Sequence, residues 1–126
     1  MKSLQLKNKF WGDTMENISV MEHLMVILMA HMFGDYFLQT NYLAMNKGKD
    51  NYILLTHCLL YGLGVYGVCL LFGFQLTTID LLIIIGLHIP MDYIKARGIT
   101  PKYLGDKWSL VLDQFVHYIV LIAILF

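Results

Sequence analysis

Charged residues are scarce in this sequence, and their scarcity limits the kind of protein it encodes. They make up 14% of the 126 residues, whereas hydrophobic residues make up 58%, and the mean hydropathy is +0.62. A single domain of this length cannot hide so much apolar surface from water, which excludes an ordinary soluble protein. The formal net charge of +0 gives no electrostatic reason to expect a nucleic-acid partner. The composition predicts an integral membrane protein that has the lipid bilayer as its first partner.

Cysteine is also scarce, and its spacing excludes a disulfide framework. Cys58 and Cys69 fall in one predicted helix, about 16 Å apart by helical rise, which is too far for a disulfide. The N-terminal region lacks the short apolar core and small-residue cleavage site of a secretory signal. We therefore expect residues 1–18 to be an interfacial or disordered leader, with Met15 as an alternative start, and residues 19–126 to be one transmembrane domain.

Four long apolar runs dominate the rest of the chain. They cover about residues 20–39, 52–74, 78–94 and 109–126, and each is long enough for a helix that crosses a bilayer. Ser19 with Glu22, and Thr77 with Asp80, have the spacing of a capping box at a helix start. The connection at residues 75–78 is short, so the second and third helices should be antiparallel neighbours. The predicted fold is all-α: a polytopic membrane protein with an antiparallel bundle of four transmembrane helices.

Lysine and arginine are divided unevenly between the two ends of this bundle. Three lie in the leader, and six lie in the other two connections between helices. Cytoplasmic loops are enriched in these residues, so we expect both basic connections in the cytoplasm and both termini outside. The six basic residues of the connections are Lys47, Lys49, Lys95, Arg97, Lys102 and Lys107.

Polar side chains recur four residues apart within the apolar runs, a spacing that places them on one face of a helix. Three runs carry a His/Asp pair at this spacing and the fourth carries a histidine: His31 with Asp35, His88 with Asp92, Asp113 with His117, and His57. In an up-and-down bundle all of them reach a similar depth near the basic loops. An aspartate facing lipid at a helix centre costs about 2.5–3.5 kcal/mol, so these side chains should face the interior. The pattern predicts one composite polar site.

Histidine combined with aspartate is typical of a divalent metal site, with zinc as the first expectation and manganese or iron as the others. Three carboxylates repel one another unless they are protonated or neutralised by a cation. The expected metal ligands are His31, His57, His88, Asp92 and Asp113. Asp35 and His117 remain for catalysis, as a general base or as a bridge to a second metal. Gln39, Gln114 and Lys95 are expected to lie around the ligands and hold them in place.

The same residues resemble a known family. The resemblance is carried by His31-x-x-Gly34-Asp35-Tyr36-x-x-Gln39-Thr40, Ala44 and Lys47, His57 with Tyr61, His88-x-x-x-Asp92-x-x-Lys95, and Asp113-Gln114-x-x-His117. Over about residues 22–120 the chain resembles the domain of unknown function 3307 family of small bacterial and phage membrane proteins. This resemblance implies a bacterial inner (cytoplasmic) membrane protein. More distantly, His-x-x-x-Asp pairs on membrane helices are similar to those of bacterial membrane-bound metal-dependent hydrolases.

A metal close to the cytoplasmic leaflet would lie within reach of lipid headgroups. We therefore expect a metal-dependent hydrolase acting on a lipid or lipid-linked phosphate ester. Two alternatives stay open, and in both of them the protein is not an enzyme. One is a carrier or channel for metal ions or protons, and the other is a structural or regulatory membrane subunit with a polar core. A homo-oligomer is compatible with each of these functions.

Overall fold

A computed structural model of the protein describes residues 20–99 and 105–126, and within these ranges it contains helices and no strand. The helices are α1 (Val20–Met32), α2 (Asn41–Asn46), α3 (Asn51–Leu71), α4 (Thr78–Ala96) and α5 (Gly105–Leu125). A π-helical segment, Phe33–Phe37, continues α1. The all-α prediction is confirmed. The predicted leader and Ser19 lie outside the described residues.

Side chains that cap the first turns determine where three of the helices begin. Thr77 and Asp80 form the predicted capping box at the start of α4: the Thr77 hydroxyl accepts from the Asp80 amide at 3.2 Å, and the Asp80 carboxylate accepts from the Thr77 amide at 2.8 Å. Asp50 caps α3 by accepting from two amides of its first turn, and Thr40 caps α2. The capping prediction at Thr77 is therefore confirmed.

The four long helices form a closed ring in which each packs against two neighbours. α1 contacts α3 and α5, and α4 also contacts α3 and α5. The short connection after α3 makes α3 and α4 sequential neighbours, as the sequence predicts. The apolar core lies between them and includes Ile27, Val65, Ile84 and Leu121. Cys58 and Cys69 are both buried as free thiols, in agreement with the prediction that they do not pair.

Two glycines allow the backbones of α3 and the π-helical segment to come into direct contact. A Cβ atom on Gly64 would lie 2.8 Å from the Gly34 Cα atom, and a Cβ atom on Gly34 would lie 2.8 Å from the Tyr61 carbonyl oxygen. Gly62 also faces a neighbouring helix, whereas a Cβ atom on Gly67 would meet nothing within 4 Å. Close packing is therefore a property of Gly62 and Gly64 and not of Gly67.

The first apolar run does not form one uniform helix. Its α-helical part ends at Met32, and the next five residues are wound more widely, with the Leu38 amide donating to the Phe33 carbonyl at 3.1 Å. This i→i+5 bond is characteristic of a π-helical turn, a feature that is frequent at functional sites. The short helix α2 follows this segment and ends at Asn46, just before the connection to α3. The last helix begins at Gly105, four residues earlier than predicted.

Two of the helices, α3 and α5, are long and apolar enough to cross a membrane. Each has 21 residues, which gives a length of about 30 Å at the rise of an α-helix. α4 is nearly as long, with 19 residues, but it carries Asp80, Asp92 and Lys95. Two of these three charged residues belong to the polar region described next.

Candidate metal centre

Four buried side chains from three parts of the bundle converge on one point. They are Asp35 of the π-helical segment, His57 of α3, and His88 and Asp92 of α4, and we call them the inner cluster. One nitrogen or oxygen from each lies within 4.8 Å of all the others. None of the four side chains is more than slightly exposed. Such convergence requires the π-helical segment, α3 and α4 to meet at one depth.

His57 is at the middle of the inner cluster. Its Nε2 atom lies 3.3 Å from Asp35 Oδ1, 3.1 Å from Asp92 Oδ2 and 3.3 Å from His88 Nε2. His88 Nε2 lies 3.8 Å from Asp35 Oδ1. Two imidazole nitrogens and two carboxylate oxygens thus face a common centre. A proton or a cation is required at this centre, because the lone pairs of the four atoms otherwise repel one another.

The inner cluster fits a divalent metal in donor type and in spacing. Zinc–ligand bonds of about 2.0–2.1 Å at tetrahedral angles place neighbouring ligand atoms about 3.3 Å apart. Four of the six pairs are separated by 3.1, 3.3, 3.3 and 3.8 Å, around this value, and all of the ligand atoms lie within 4.8 Å of one another. Asp92 Oδ1 is buried and has no hydrogen-bond partner among the described residues, so it keeps a lone pair for a further ligand. A metal bound here would be held by Asp35, His57, His88 and Asp92.

Lys47, which was predicted as a basic loop residue and is one of the residues that carry the family resemblance, reaches into the inner cluster. Lys47 Nζ donates to Asp92 Oδ2 at 2.7 Å and lies 3.3 Å from His57 Nε2. The residue is 8% exposed, which is low for a lysine and shows that the ammonium is enclosed. One signal was available: Lys47 follows the buried Leu43 by four residues, on the same face of α2.

The turn that carries Lys47 is fastened to the end of α4. Arg97 Nε donates to the Gly48 carbonyl at 3.0 Å, and another nitrogen of its guanidinium donates to Asn51 Oδ1 at 2.6 Å. The guanidinium also lies over the Tyr93 ring, 3.9 Å from its centroid. Gly48 packs against the Ala96 carbonyl, where a Cβ atom would not fit. Arg97, predicted as part of the positive charge of a loop, therefore positions the turn that holds Lys47.

A second polar group, which we call the outer network, lies beside the inner cluster. It consists of His31, Lys95, Asp113, Gln114 and His117. Lys95 Nζ and Gln114 Nε2 both donate to Asp113 Oδ2, at 2.6 and 3.0 Å. The Gln114 oxygen then accepts from His31 Nε2 at 2.7 Å. These contacts form a chain in which donors and acceptors alternate.

His117 ends this outer network with one free nitrogen. Its Nδ1 atom donates to the Asp113 backbone carbonyl at 2.6 Å, so a neutral ring carries its lone pair on Nε2. Nε2 is buried and has no hydrogen-bond partner in the described part of the chain. The His117 ring lies 4.5 Å from the His88 ring, measured between centroids. His117 therefore offers a basic nitrogen next to a member of the inner cluster.

Tyr61 and His31 connect the two groups. The Tyr61 ring stacks on His88 with centroids 3.8 Å apart, and its hydroxyl lies 3.3 Å from His31 Nδ1. His31 Nε2 lies 3.8 Å from Asp35 Oδ2. The two groups thus form one continuous polar region, and all seven histidines and aspartates singled out in the sequence are buried in it.

The structure divides the predicted site residues differently from the sequence analysis. His57, His88 and Asp92, predicted as ligands, lie in the inner cluster together with Asp35, which was predicted as catalytic. His31 and Asp113, also predicted as ligands, lie in the outer network with His117, Gln114 and Lys95. Gln39 contributes to neither: its Oε1 atom is buried without a partner among the described residues. The ligand roles of His31 and Asp113 stay predictions.

An all-helical bundle with a buried centre of histidine and aspartate is the class that the fold and the site define. The family model described as "Protein of unknown function (DUF3307)" matches residues 23–126, and the chain belongs to that family. The matched range includes both polar groups. No curated protein and no solved structure matches the chain. The more distant resemblance to membrane-bound metal-dependent hydrolases stays a prediction.

Proposed function

We propose that this protein is a four-helix membrane protein that binds one divalent metal ion in the inner cluster and hydrolyses a lipid or lipid-linked phosphate ester. The observation that carries the proposal is the convergence of four buried ligand atoms within 4.8 Å of one another. Buried carboxylates are retained only when a proton, an ion pair or a metal compensates their charge.

The distribution of apolar side chains supports a membrane location. Only 17% of the apolar stretch of α5 is buried inside the bundle, compared with 50% of that of α3. The outward face of α5 includes Val111, Leu112, Phe115 and Ile122. Such a surface is unfavourable in water and favourable in lipid. α1 together with the π-helical segment, and α4, would supply the other two spans, with the charges of α4 turned into the bundle or placed at its ends.

Orientation follows from the basic residues that flank the site. Lys47, Lys95 and Arg97 are all at the end of the bundle that holds the inner cluster. By the positive-inside rule this end faces the cytoplasm of a bacterial inner membrane. The centre would then lie close to the headgroups of the inner leaflet. This depth favours a lipid or a lipid-linked phosphate as substrate.

A zinc, manganese or iron ion at the centre would act as a Lewis acid and lower the pKa of water there. The residues of the chain have separate tasks around it. Asp35, His57, His88 and Asp92 would bind the ion, and Tyr61 holds His88 in place by stacking on it. His117, with its unpartnered Nε2 atom, is placed to accept a proton as general base. Asp113 and Gln114 orient the histidines of the outer network.

One observation favours a second candidate, a structural or regulatory subunit with a polar core. Lys47 pairs with Asp92 and Lys95 pairs with Asp113, so lysines already compensate two of the three aspartates. A carrier has less support, because the other half of the bundle interior is lined by apolar residues such as Ile27, Val65 and Leu121. A conducting path needs polar groups at both ends, and this arrangement favours a site that opens to one side.

The proposal is tested by measuring the metal content of the protein purified in a neutral detergent. We expect near-stoichiometric zinc, manganese or iron in the wild type, and loss of it in His88→Gln. Asp106→Asn, which changes an exposed aspartate in the first turn of α5, is the matched control and should keep the metal. A folded wild type that holds no metal even after reconstitution would refute the metalloenzyme and support the structural subunit. Release of phosphate from phospholipids or lipid phosphates by the metal-loaded wild type then tests hydrolysis.

A further inference from the structure

Lys47 is an unexpected neighbour for a metal centre, because its positive charge lies close to the position where a metal ion would add a second positive charge. Its ammonium lies 2.7 Å from Asp92 Oδ2 and 3.3 Å from His57 Nε2, two of the four expected ligand atoms. Two cations at such a separation repel strongly in a buried region. The position of Lys47 therefore needs an explanation that a metal site alone does not give.

The charges of the inner cluster indicate what is missing. Asp35 and Asp92 contribute two negative charges, and Lys47 contributes one positive charge. With neutral histidines, a divalent metal would leave the buried centre with one surplus positive charge. An anion that contacts both the metal and Lys47 removes this surplus. Lysine is a common ligand of phosphate groups, to which it presents a point charge.

Lys47 can keep its place when a metal enters. Asp92 holds Lys47 with Oδ2 only, and its Oδ1 atom is buried and without a hydrogen-bond partner in the described part of the chain. The two oxygens of a carboxylate offer about four acceptor sites, so Asp92 can hold the lysine with Oδ2 and still bind a metal through Oδ2 or Oδ1. The ammonium then remains directly beside the metal position, where an incoming anionic oxygen would arrive.

Lys47 is also held in this place by the fold. Arg97 fastens the adjacent Gly48 carbonyl to the end of α4, and Gly48 packs on the Ala96 carbonyl. Lys49, two residues further along the same turn, is exposed instead. Lys47 therefore has a fixed position beside the inner cluster, whereas Lys49 is a typical basic residue of a loop.

We infer that the inner cluster binds a divalent metal and a phosphoryl oxyanion together, with Lys47 and the metal contacting the same anion. This inference rests on the proposed metal site and specifies its substrate as one with an anionic phosphate group. A lipid headgroup and a free phosphate share this chemistry. The two ligands should bind with positive coupling, because each lowers the charge cost of binding the other.

The test measures binding of Mn²⁺ to the full chain in neutral detergent, with and without inorganic phosphate, correcting for Mn²⁺–phosphate complexes in solution. Coupling free energies between sites commonly change affinity by about 5–150-fold. We expect phosphate to tighten Mn²⁺ binding about tenfold and Mn²⁺ to tighten phosphate binding by the same factor. Sulfate and chloride at equal ionic strength separate a phosphate effect from a salt effect.

Lys47→Met provides the decisive comparison, with Lys49→Met as the matched control. Without the ammonium, Mn²⁺ alone should bind several-fold tighter, and the effect of phosphate should fall to less than twofold. Lys49→Met should behave as the wild type in both measurements. If the wild type binds the metal equally well with and without inorganic phosphate, and equally well with and without phosphatidic acid, the inference is overturned even when Lys47→Met cannot be folded. If the wild type binds no metal under any condition, both this inference and the proposed function are refuted.

Repeating the titration with phosphatidic acid in the micelle distinguishes the source of the phosphate. Coupling with phosphatidic acid but not with inorganic phosphate supports a lipid headgroup. Coupling with both supports recognition of the phosphate group itself, whatever carries it. If neither inorganic phosphate nor phosphatidic acid changes the affinity for Mn²⁺, the inference is contradicted.

Discussion

The inner cluster and the outer network are built from the same residue types, and the comparison between them is instructive. Each contains histidines and one buried aspartate that pairs with a lysine, at nearly the same distance: 2.7 Å for Lys47–Asp92 and 2.6 Å for Lys95–Asp113. The two lysines differ in exposure: the side chain of Lys47 is 10% exposed and that of Lys95 is 30% exposed. The two groups also differ in how their polar atoms are arranged.

In the inner cluster the polar atoms converge, whereas in the outer network they follow one another in a chain. His57 Nε2 has three close polar neighbours besides Lys47, and they surround a common centre. Along the chain, Lys95 and Gln114 donate to Asp113, and Gln114 accepts from His31. A cation needs several lone pairs that face one point, whereas a chain of satisfied donors and acceptors needs none. Arrangement, and not composition, therefore distinguishes the proposed metal centre from the outer network.

The largest expected difference between the two groups is in metal affinity. Asp92→Asn removes a ligand of the inner cluster and should lower the affinity for Mn²⁺ or Zn²⁺ by at least 100-fold. Asp113→Asn changes a residue of the outer network, and changes of this kind lower the metal affinity by about 10-fold to 100-fold. Metal titration of both variants is the measurement. Equal losses would show that Asp113 is a ligand, as the sequence analysis predicted, and that the division into two groups is wrong.

The next largest effect concerns catalysis. His117→Gln should keep the metal but lower the hydrolysis rate by about 10²–10⁴-fold, the usual contribution of a general base. The measurement is single-turnover hydrolysis of a lipid phosphate by the metal-loaded variant, beside its metal content. Loss of both metal and activity in this variant would indicate that His117 is a metal ligand. Tyr118→Phe, which changes the next residue along α5, is the control.

A smaller effect is expected in stability, at the support of the inner cluster. A Cβ atom on Gly34 would lie 2.8 Å from a carbonyl of α3, so Gly34→Ala should force the two backbones apart and destabilise the fold by about 1–3 kcal/mol. It should also weaken metal binding, because Asp35 is the next residue. Gly67→Ala faces open space and should leave stability unchanged or raise it by about 0.5–1 kcal/mol. Thermal unfolding in detergent measures both variants, and a neutral Gly34→Ala would contradict the close backbone contact.

The smallest effect is expected where the fold positions Lys47. Arg97→Met should loosen the turn at Gly48 and reduce the coupling between Mn²⁺ and phosphate by a factor of about three to five. This factor is at the low end of the effects that couplings between sites commonly have on affinity. Lys95→Met changes the lysine of the outer network and should leave this coupling intact. The paired titrations with inorganic phosphate measure both. A larger loss for Lys95→Met would place the anion at the outer network.

The positions of the long helices could be predicted because apolar runs and capping residues are local signals. Thr77 with Asp80 shows this directly, since the predicted capping box is present. The meeting of histidines and aspartates could also be predicted, because a four-residue spacing and a common depth follow from helix geometry alone. The place of Lys47 in the site was not predicted, because its four-residue spacing from Leu43 does not by itself show that a lysine is buried. Its burial depends on Arg97, which is 50 residues away in the chain.

The division of the site into two groups also could not be obtained from spacing. His31 and Asp35 are four residues apart and look equivalent as ligands in the sequence. Their separation into different groups depends on how the helices are rotated about their axes and on the wide turn between Met32 and Leu38. Rotation is decided by packing between helices, which includes the contact of Gly34 with α3. No residue type in this stretch signals a π-helical turn.

The π-helical segment has a consequence for comparing members of the family. Its i→i+5 bond encloses one residue more than an α-helical turn does, so it shifts the phase of everything that follows by about 100°. Deleting a single residue between Phe33 and Phe37 would restore the ordinary winding and turn either Asp35 or the segment that leads to Lys47 away from the centre. A one-residue gap in this stretch of an alignment is therefore expected to mark relatives in which the proposed metal centre is incomplete.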